Sequence, residues 1–259
     1  MSSPIFVLIP GAFGTPSGYD KLVPHLEEAG FSTKPGSYPS SNPTDPSTAT
    51  CQNDIETLRE RILFPLLQQG NEAILVAHSY GGAVGSAAAT GLDKTTRTAK
   101  GLPGGVIGLI HIAGNILLDG ETLLTAVGGA YPPFIKTDKP STGLSVIEPA
   151  MDVLYNDCDA ALAPELEATM TPHSTLAFET PPTAPAWADA AFDGRRTYVR
   201  TSEDCCIPPG LQDTWLEKTG VEWDVVHLKA GHMPFISMPK ELAEQLVKSA
   251  KGFMELQSP

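Results

Sequence analysis

The sequence has few basic residues and no apolar run long enough to cross a membrane. Its 17 lysines and arginines stand against 30 aspartates and glutamates, which gives a formal net charge of −13. Phosphate binding needs basic patches, and none is visible, so nucleic acid is excluded as a partner. A membrane span would need roughly 18 consecutive apolar residues, and their absence excludes membrane insertion. The acidity itself mainly predicts solubility.

Cysteine is scarce as well. The four cysteines are Cys51, Cys158, Cys205 and Cys206. In a chain of this size without a secretory signal peptide, an even number of cysteines does not imply disulfides. Their spacing is also not that of metal ligands. The N-terminal stretch MSSPIFVLIPG has no basic segment before its apolar run, so no signal peptide is evident. We therefore expect structural or incidental thiols and a cytoplasmic protein.

The length and the order of apolar runs indicate one α/β domain. With 259 residues, of which 41% are hydrophobic, the chain can bury a full core, and we expect a single domain over residues 1–259. The run Ile5–Ile9 is typical of a buried strand, and Asp54–Leu67 has helical periodicity. Val106–Ala113 is apolar almost throughout and shows no alternation of polar and apolar residues, which is typical of strands in parallel sheets that are buried on both faces. This order predicts a mostly parallel sheet of about six strands with helices on both faces. Residues 115–185 break the rhythm and are interpreted as a helical cap insertion.

The segment EAILVAHSYGG, residues 72–82, is the most informative of the chain. An apolar run leads into a sharp turn and then a helix, with Ser79 at the apex. Such a turn strains the apical residue, so the residues two positions away must be small, and Ala77 and Gly81 are. The turn would present Ser79 Oγ, and the Tyr80 N–H at the helix start would face a developing oxyanion. The pattern predicts a serine nucleophile.

His232 is the best candidate for the base that such a nucleophile needs. It follows the strand-like run Trp223–Leu228, whose end would deliver a loop residue to the top of the sheet. His173, in the loop-like stretch TPHS, is the rival. The remaining histidines have structural explanations in a turn, a helix or a strand: His25, His78, His111 and His227.

The candidate acid follows another predicted strand, Arg196–Thr201. Asp204 lies just beyond its C-terminal end, and Glu203 is the competing carboxylate. The chain order Ser79, Asp204, His232 is the order of a serine-acid-histidine triad on a parallel α/β sheet. The loop after Ile5–Ile9 would provide a second oxyanion donor, the backbone N–H of Ala12. In the same loop, Gly11 would let the backbone approach the substrate closely.

Five sequence blocks together resemble the small cap-bearing α/β-hydrolases, the group of the plant methyl-ester esterases of the salicylate-binding type and the hydroxynitrile lyases. The blocks keep their order and approximate spacing over nearly the whole chain: FVLIPGAFG, SGYDKLVPHLEEAGF, AILVAHSYGGAV, YVRTSEDCCIP and LKAGHMPFIS. The resemblance implies Ser79 as nucleophile, Asp204 as acid and His232 as base, with the N–H groups of Ala12 and Tyr80 as oxyanion donors.

Departures from the family pattern bear on substrate and reaction. Pro10 stands where the family usually has His, and Ala77 where it has Gly, so the natural substrate does not carry over. Similar hydroxynitrile lyases place Thr where this chain has Gly11 and Lys where it has Met233, and that Lys supplies a charge for cyanide. Methionine offers only a soft apolar surface, which favours hydrolysis over cyanohydrin cleavage. Candidate pocket residues are Gly11, Phe13 and Met233, with Tyr80, Tyr131 and Phe134 as further walls.

The sequence therefore predicts a serine hydrolase of small, fairly apolar carboxylic esters or lactones, acting through an acyl-enzyme on Ser79. A small-molecule substrate is the expected partner, a homodimer is left open, and no metal or organic cofactor is expected. Two alternatives remain: a hydroxynitrile lyase-like enzyme, and a small-molecule receptor on a hydrolase scaffold. A complete triad argues against the receptor, because a pure binder need not retain a nucleophile.

Overall fold

A six-stranded parallel sheet forms the centre of the fold. The computed structural model describes residues 3–256, so Met1 and Ser2, part of the stretch considered for a signal peptide, lie outside the described residues. The strands are β1 (Ile5–Ile9), β2 (Thr33–Pro35), β3 (Glu72–His78), β4 (Gly105–Ile112), β5 (Ile135–Thr137), β6 (Leu144–Ile147), β7 (His173–Ser174), β8 (Arg196–Thr201) and β9 (Asp224–Leu228). Six of them pair in the order β2-β1-β3-β4-β8-β9, and each neighbouring pair is parallel. The predicted mostly parallel sheet of about six strands is confirmed.

Helices cover both faces of this sheet. Side chains alternate between the two faces along a strand, so burial of every residue of β4 requires cover on both sides. The helices are α1 (Val23–Glu28), α2 (Cys51–Leu58), α3 (Phe64–Gln68), α4 (Gly81–Ala89), α5 (Lys94–Ala99), α6 (Leu123–Ala126), α7 (Ala150–Val153), α8 (Ala163–Ala168), α9 (Thr175–Glu179), α10 (Pro209–Thr219), α11 (Pro234–Ser237) and α12 (Pro239–Glu255). Among residues 3–256, no helix combines the length and apolar content that crossing a bilayer requires.

The helix predicted over Asp54–Leu67 is present but interrupted. A π-helical turn, Arg59–Leu63, separates α2 from α3. Pro65, the second residue of α3, has no N–H to donate, and its ring excludes the carbonyl of the residue four positions earlier. A single widened turn accommodates both constraints without ending the helix.

The segment predicted as a helical cap, residues 115–185, contains strands as well as helices. Besides α6 to α9 it carries β5, β6 and β7, which form an antiparallel three-stranded sheet. These strands have three, four and two residues, too few for an alternating pattern to show in the sequence. The Ser174 N–H donates to the Ser40 carbonyl (2.9 Å), which ties this segment to the loop after β2.

A buried carboxylate on α2 joins that same loop to the start of α4. Asp54 is fully buried and accepts hydrogen bonds from the Ser40 N–H (3.0 Å), the Ser40 hydroxyl and the Tyr80 hydroxyl (2.7 Å). Burial penalises the charged form and raises the pKa of Asp54 to about 6, although the hydrogen bonds from Ser40 and Tyr80 oppose that shift. Asp54 therefore titrates differently in the folded and unfolded chains.

We expect Asp54 to make stability depend on pH. Its folded pKa of about 6 lies above the ordinary 3.8, so its contribution is fully present below about pH 3.8 and is lost as the pH rises through 6. A shift of about two pKa units corresponds to on the order of 2–3 kcal/mol. The unfolding free energy of the wild type minus that of Asp54→Asn should fall by this amount between about pH 4 and pH 7, measured by urea denaturation. A constant difference would contradict the expectation.

Close packing between β4 and α12 depends on a glycine. A Cβ added at Gly108 would lie 2.1 Å from Cδ2 of Phe253, whose ring is itself buried. Gly252, one residue earlier on the same helix, is exposed, and no atom lies within 4 Å of its added Cβ. The two glycines thus offer a matched pair of sites for the same substitution.

We expect Gly108→Ala to destabilise the protein by about 1–3 kcal/mol, because the Phe253 ring must shift in a filled core. Gly252→Ala should instead stabilise it by about 0.5–1 kcal/mol, since alanine reduces the entropy of the unfolded chain in an unobstructed helical position. Chemical denaturation of both variants measures the two effects. Equal shifts of the same sign would show that the Phe253 contact is not what selects glycine at position 108.

Candidate active site

Ser79 lies on a sharp turn between β3 and α4, the strand–turn–helix geometry expected from the sequence. Its φ of 51° is in the left-handed region, which a residue with a side chain seldom adopts. Three backbone hydrogen bonds hold this conformation: the Ser79 carbonyl accepts from the N–H groups of Gly82 and Asn115 (both 2.8 Å), and the Ser79 N–H donates to the Ile112 carbonyl (3.2 Å). The turn is therefore fixed against the C-terminal end of β4.

Small residues make this turn possible. A Cβ at Gly81 would lie 2.5 Å from the Pro10 carbonyl oxygen, and one at Gly11 would lie 2.9 Å from the Cβ of Ser79. Both distances are too short for real atoms, so the two glycines let the loop after β1 and the turn at Ser79 touch. Ser79 keeps partial exposure in this packing, whereas Tyr80 beside it is buried.

His232 and Asp204 form a buried, hydrogen-bonded pair beyond the ends of β9 and β8. Nδ1 of His232 lies 2.8 Å from Oδ2 of Asp204. Asp204 also accepts from the Thr201 hydroxyl and from the N–H groups of Cys206 and Ile207, each at 2.8 Å. So many donors stabilise a carboxylate and orient it. With its Nδ1 proton donated to Asp204, His232 has Nε2 available as a base.

The pair shifts the pKa of each partner in the direction that favours charge. Burial alone would raise the pKa of Asp204, but the attraction of His232 and the donors around the carboxylate hold it below its ordinary value. Burial alone would lower the pKa of His232, but the attraction of Asp204 and the neighbouring Cys206 raise it well above its ordinary value. A proton taken up at Nε2 is therefore well stabilised.

The rival residues are placed differently. Glu203 is exposed, and its Oε1 lies 3.5 Å from Nζ of Lys229. This is the environment of a solvated surface charge. His173 is buried in β7 and stacks on Phe178 with ring centroids 4.9 Å apart. Neither ring nitrogen of His173 has a hydrogen-bond partner within residues 3–256, and burial lowers its pKa to about 3. No carboxylate among those residues bonds to it, so it lacks the partner that an orienting acid would provide.

The two expected oxyanion donors lie on the same cavity as Ser79. Ala12 and Tyr80 both line it, and neither backbone N–H has an acceptor among the described residues. Phe13 adopts a left-handed φ of 64°, which turns the chain sharply after Ala12. The hydroxyl of Tyr80 bonds to Asp54, which anchors the residue whose amide begins α4.

This cavity has a volume of about 280 Å³ and an apolar wall. Ser79 and His232 both lie on it, whereas its lining within residues 3–256 contains no lysine, arginine, aspartate or glutamate. Much of the wall comes from the 115–185 segment. Of the expected wall residues, Phe13, Tyr80, Tyr131 and Phe134 are present.

Gly11 and Met233, also expected at the pocket, do not line this cavity, and their place in a substrate pocket stays a prediction. Both line a second, much smaller cavity, which they share with His78 and Tyr155. Gly11 faces the nucleophile turn, where an added Cβ would meet the His78 ring at 2.8 Å, and Met233 is buried. Neighbourhood in sequence to a candidate catalytic residue does not fix the side on which a side chain packs.

Sequence reasoning missed several residues of the site. Cys206 and Ile207 line the cavity and also bind Asp204 through their N–H groups. Asn115 lines the cavity and lies just after β4. A polar residue beyond the C-terminal end of a parallel strand was the available signal, since sites in such sheets form there.

Comparison with known proteins agrees with this architecture. The profile of the alpha/beta hydrolase family matches residues 6–245. The chain is 27% identical over 257 residues to alpha/beta hydrolase nvfD of Aspergillus novofumigatus, covering 97% of this chain and 98% of that protein. It is 28% identical over 271 residues to putative methylesterase 14, chloroplastic, of Arabidopsis thaliana, covering 95% and 72%. The crystal structure of a pyrethroid hydrolase from Sphingobium faniae JZ-2 superposes with a TM-score of 0.77 at 23% identity, covering 98% and 100%.

The family match spans most of the chain, and the fold and the relatives agree with it. The resemblance noted from the sequence blocks is thereby confirmed. The chain belongs to the alpha/beta hydrolase family.

Proposed function

We propose that this protein hydrolyses small, uncharged, apolar carboxylic esters or lactones through an acyl-enzyme on Ser79. One observation carries the proposal. Ser79 and His232 share the wall of a single apolar cavity, and His232 is hydrogen-bonded to the buried Asp204. This combination supplies a nucleophile, a base and a carboxylate that orients the base.

The first half of the reaction acylates the serine. Nε2 of His232 takes the hydroxyl proton as Ser79 Oγ attacks the ester carbonyl, and Asp204 stabilises the imidazolium that forms. The N–H groups of Ala12 and Tyr80 bind the oxygen that becomes negative. His232 then gives its proton to the departing alkoxide, and the ester C–O bond breaks.

The second half releases the acid. His232 removes a proton from water, which attacks the acyl-enzyme carbonyl, and the same two N–H groups bind the oxyanion again. The proton returns to Ser79 Oγ as the acyl group leaves. In a lactone the alcohol stays attached to the acyl group, so one ring-opened hydroxy acid is released.

The wall of the cavity supports an apolar substrate. A mostly apolar lining binds hydrocarbon or aromatic groups, and within residues 3–256 it has no lysine, arginine, aspartate or glutamate to pair with a charged substrate. The names of the relatives support hydrolysis, since one is named a pyrethroid hydrolase and another a putative methylesterase. We propose that residues 115–185 act as a cap, because much of the wall belongs to them.

The two alternatives are less well supported. A lyase that releases cyanide needs a positive charge at the leaving group, and the described cavity lining contains no lysine or arginine. A receptor would need neither a strained serine nor a buried Asp204–His232 pair. The cytoplasmic location, the homodimer and the single domain over residues 1–259 stay predictions.

The assignment of nucleophile and acid can be tested by three substitutions. We expect Ser79→Ala to lower kcat for an aryl ester by about 10⁴ or more. Asp204→Asn should lower it by a similar order, because His232 would adopt the wrong tautomer and its cation would lose its partner. Glu203→Gln, one residue away and exposed, is the matched control and should leave the rate nearly unchanged. Loss of activity in the control with retention in Asp204→Asn would move the acid to Glu203.

The pH profile should report the ionisation of His232. Its imidazole must be neutral to act as a base, and the attraction of Asp204 raises its pKa. Hydrolysis should therefore be lost as the pH falls, with a midpoint in kcat/KM above the value of about 6.5 for a free imidazole. In Asp204→Asn the midpoint of the residual activity should move to lower pH, because the attraction is gone. An unmoved midpoint would show that another group controls the profile.

A further inference from the structure

Asn115 lies against the nucleophile turn in a position that its neighbours fix. It follows the end of β4, is only 3% exposed, and its N–H donates to the Ser79 carbonyl at 2.8 Å. A Cβ at Gly82 would lie 2.7 Å from both the backbone nitrogen and the carbonyl oxygen of Asn115, so glycine permits this contact. The side chain of Asn115 thus begins close to the reacting serine.

The carboxamide of Asn115 makes no hydrogen bond to protein groups within residues 3–256, although the residue is buried and lines the same cavity as Ser79 and His232. The polar atoms of the larger wall residues are bonded elsewhere. The Tyr80 hydroxyl donates to Asp54 (2.7 Å), the Tyr131 hydroxyl to Glu179 (2.7 Å), and the Trp215 indole N–H to the Ala126 carbonyl (3.4 Å). Because Asn115 lines the cavity, a polar group of a bound ligand can become the partner of this amide.

We propose that Asn115 is a specificity-determining residue that binds a hydroxyl group on the substrate, next to the reacting carbonyl. A carboxamide both donates and accepts, and a hydroxyl can do both in return. An uncharged group is the best fit, because the lining within residues 3–256 has no lysine, arginine, aspartate or glutamate to pair with a charge. It must also lie near the scissile bond, because the Asn115 N–H donates to the Ser79 carbonyl and so places the start of the Asn115 side chain beside the serine. This inference rests on the proposed ester hydrolysis and narrows its substrates to 2-hydroxy esters with an apolar remainder.

A pair of substrates isolates the interaction. Methyl 2-hydroxy-3-phenylpropanoate and methyl 3-phenylpropanoate differ only in the hydroxyl group. The ratio of their kcat/KM values should be about tenfold higher in the wild type than in Asn115→Leu, which keeps the size of the side chain but not its polar atoms. Asn115→Ala, which removes bulk as well, should lower the ratio equally. Ile147→Val, on the same cavity wall, is the control and should leave the ratio unchanged.

The outcomes separate the two proposals. An equal ratio in the wild type and in the folded variants, or a wild type that hydrolyses only the ester without the hydroxyl, would overturn the role of Asn115 while ester hydrolysis stands. A merely structural role would lower both kcat/KM values together and leave the ratio constant, which also contradicts the inference. Failure of the wild type on both esters, or equal turnover by Ser79→Ala, would overturn the proposed function itself.

Discussion

The left-handed backbone of Ser79 is the constraint on which the rest of the site depends. A non-glycine residue in this conformation is disfavoured by roughly 1–2 kcal/mol, so the surrounding packing must hold it. Glycines provide that packing where three segments meet: Gly81 touches the Pro10 carbonyl, Gly82 touches Asn115, and Gly11 touches Ser79. Because only backbones without side chains can approach so closely, the loop after β1 and the end of β4 lie beside Ser79.

The buried carboxylate of Asp204 and its partner His232 lie just beyond the C-terminal ends of β8 and β9. Asp204 is buried and accepts from Thr201, Cys206, Ile207 and His232, so its negative charge is fully hydrogen-bonded. A buried charge without such partners would be strongly destabilising. Close backbone packing around the glycines therefore holds Ser79 in place, whereas the hydrogen bond and the attraction of Asp204 hold His232. Both come from the C-terminal ends of parallel strands, where such sheets place their ligands.

The difference between residues placed by strand ends and residues placed by loop packing explains what could be predicted from the sequence. Ser79, Asp204 and His232 each follow a strand run, which indicates a shared edge of the sheet, and the parallel strand order confirms that edge. Side-chain direction in loops has no such periodic signal, so the sequence did not indicate that Gly11 and Met233 line a second, smaller cavity. The strands β5 to β7 are too short for a pattern. The free amide of Asn115 became visible only once the partners of every neighbouring polar group were known.

An apolar cavity by itself selects its substrates weakly. One methylene more or less changes binding by about 1–3 kcal/mol, and an adaptable wall accepts many shapes. A buried polar group that only the right substrate can satisfy discriminates far more strongly, because the wrong substrate leaves it without a partner after water has been displaced. In this cavity Asn115 is in a position to provide that discrimination, since the hydroxyls of Tyr80 and Tyr131 are already bonded to the protein. The apolar wall would then determine which substrates fit the cavity, and the Asn115 carboxamide beside Ser79 would determine which of those substrates react.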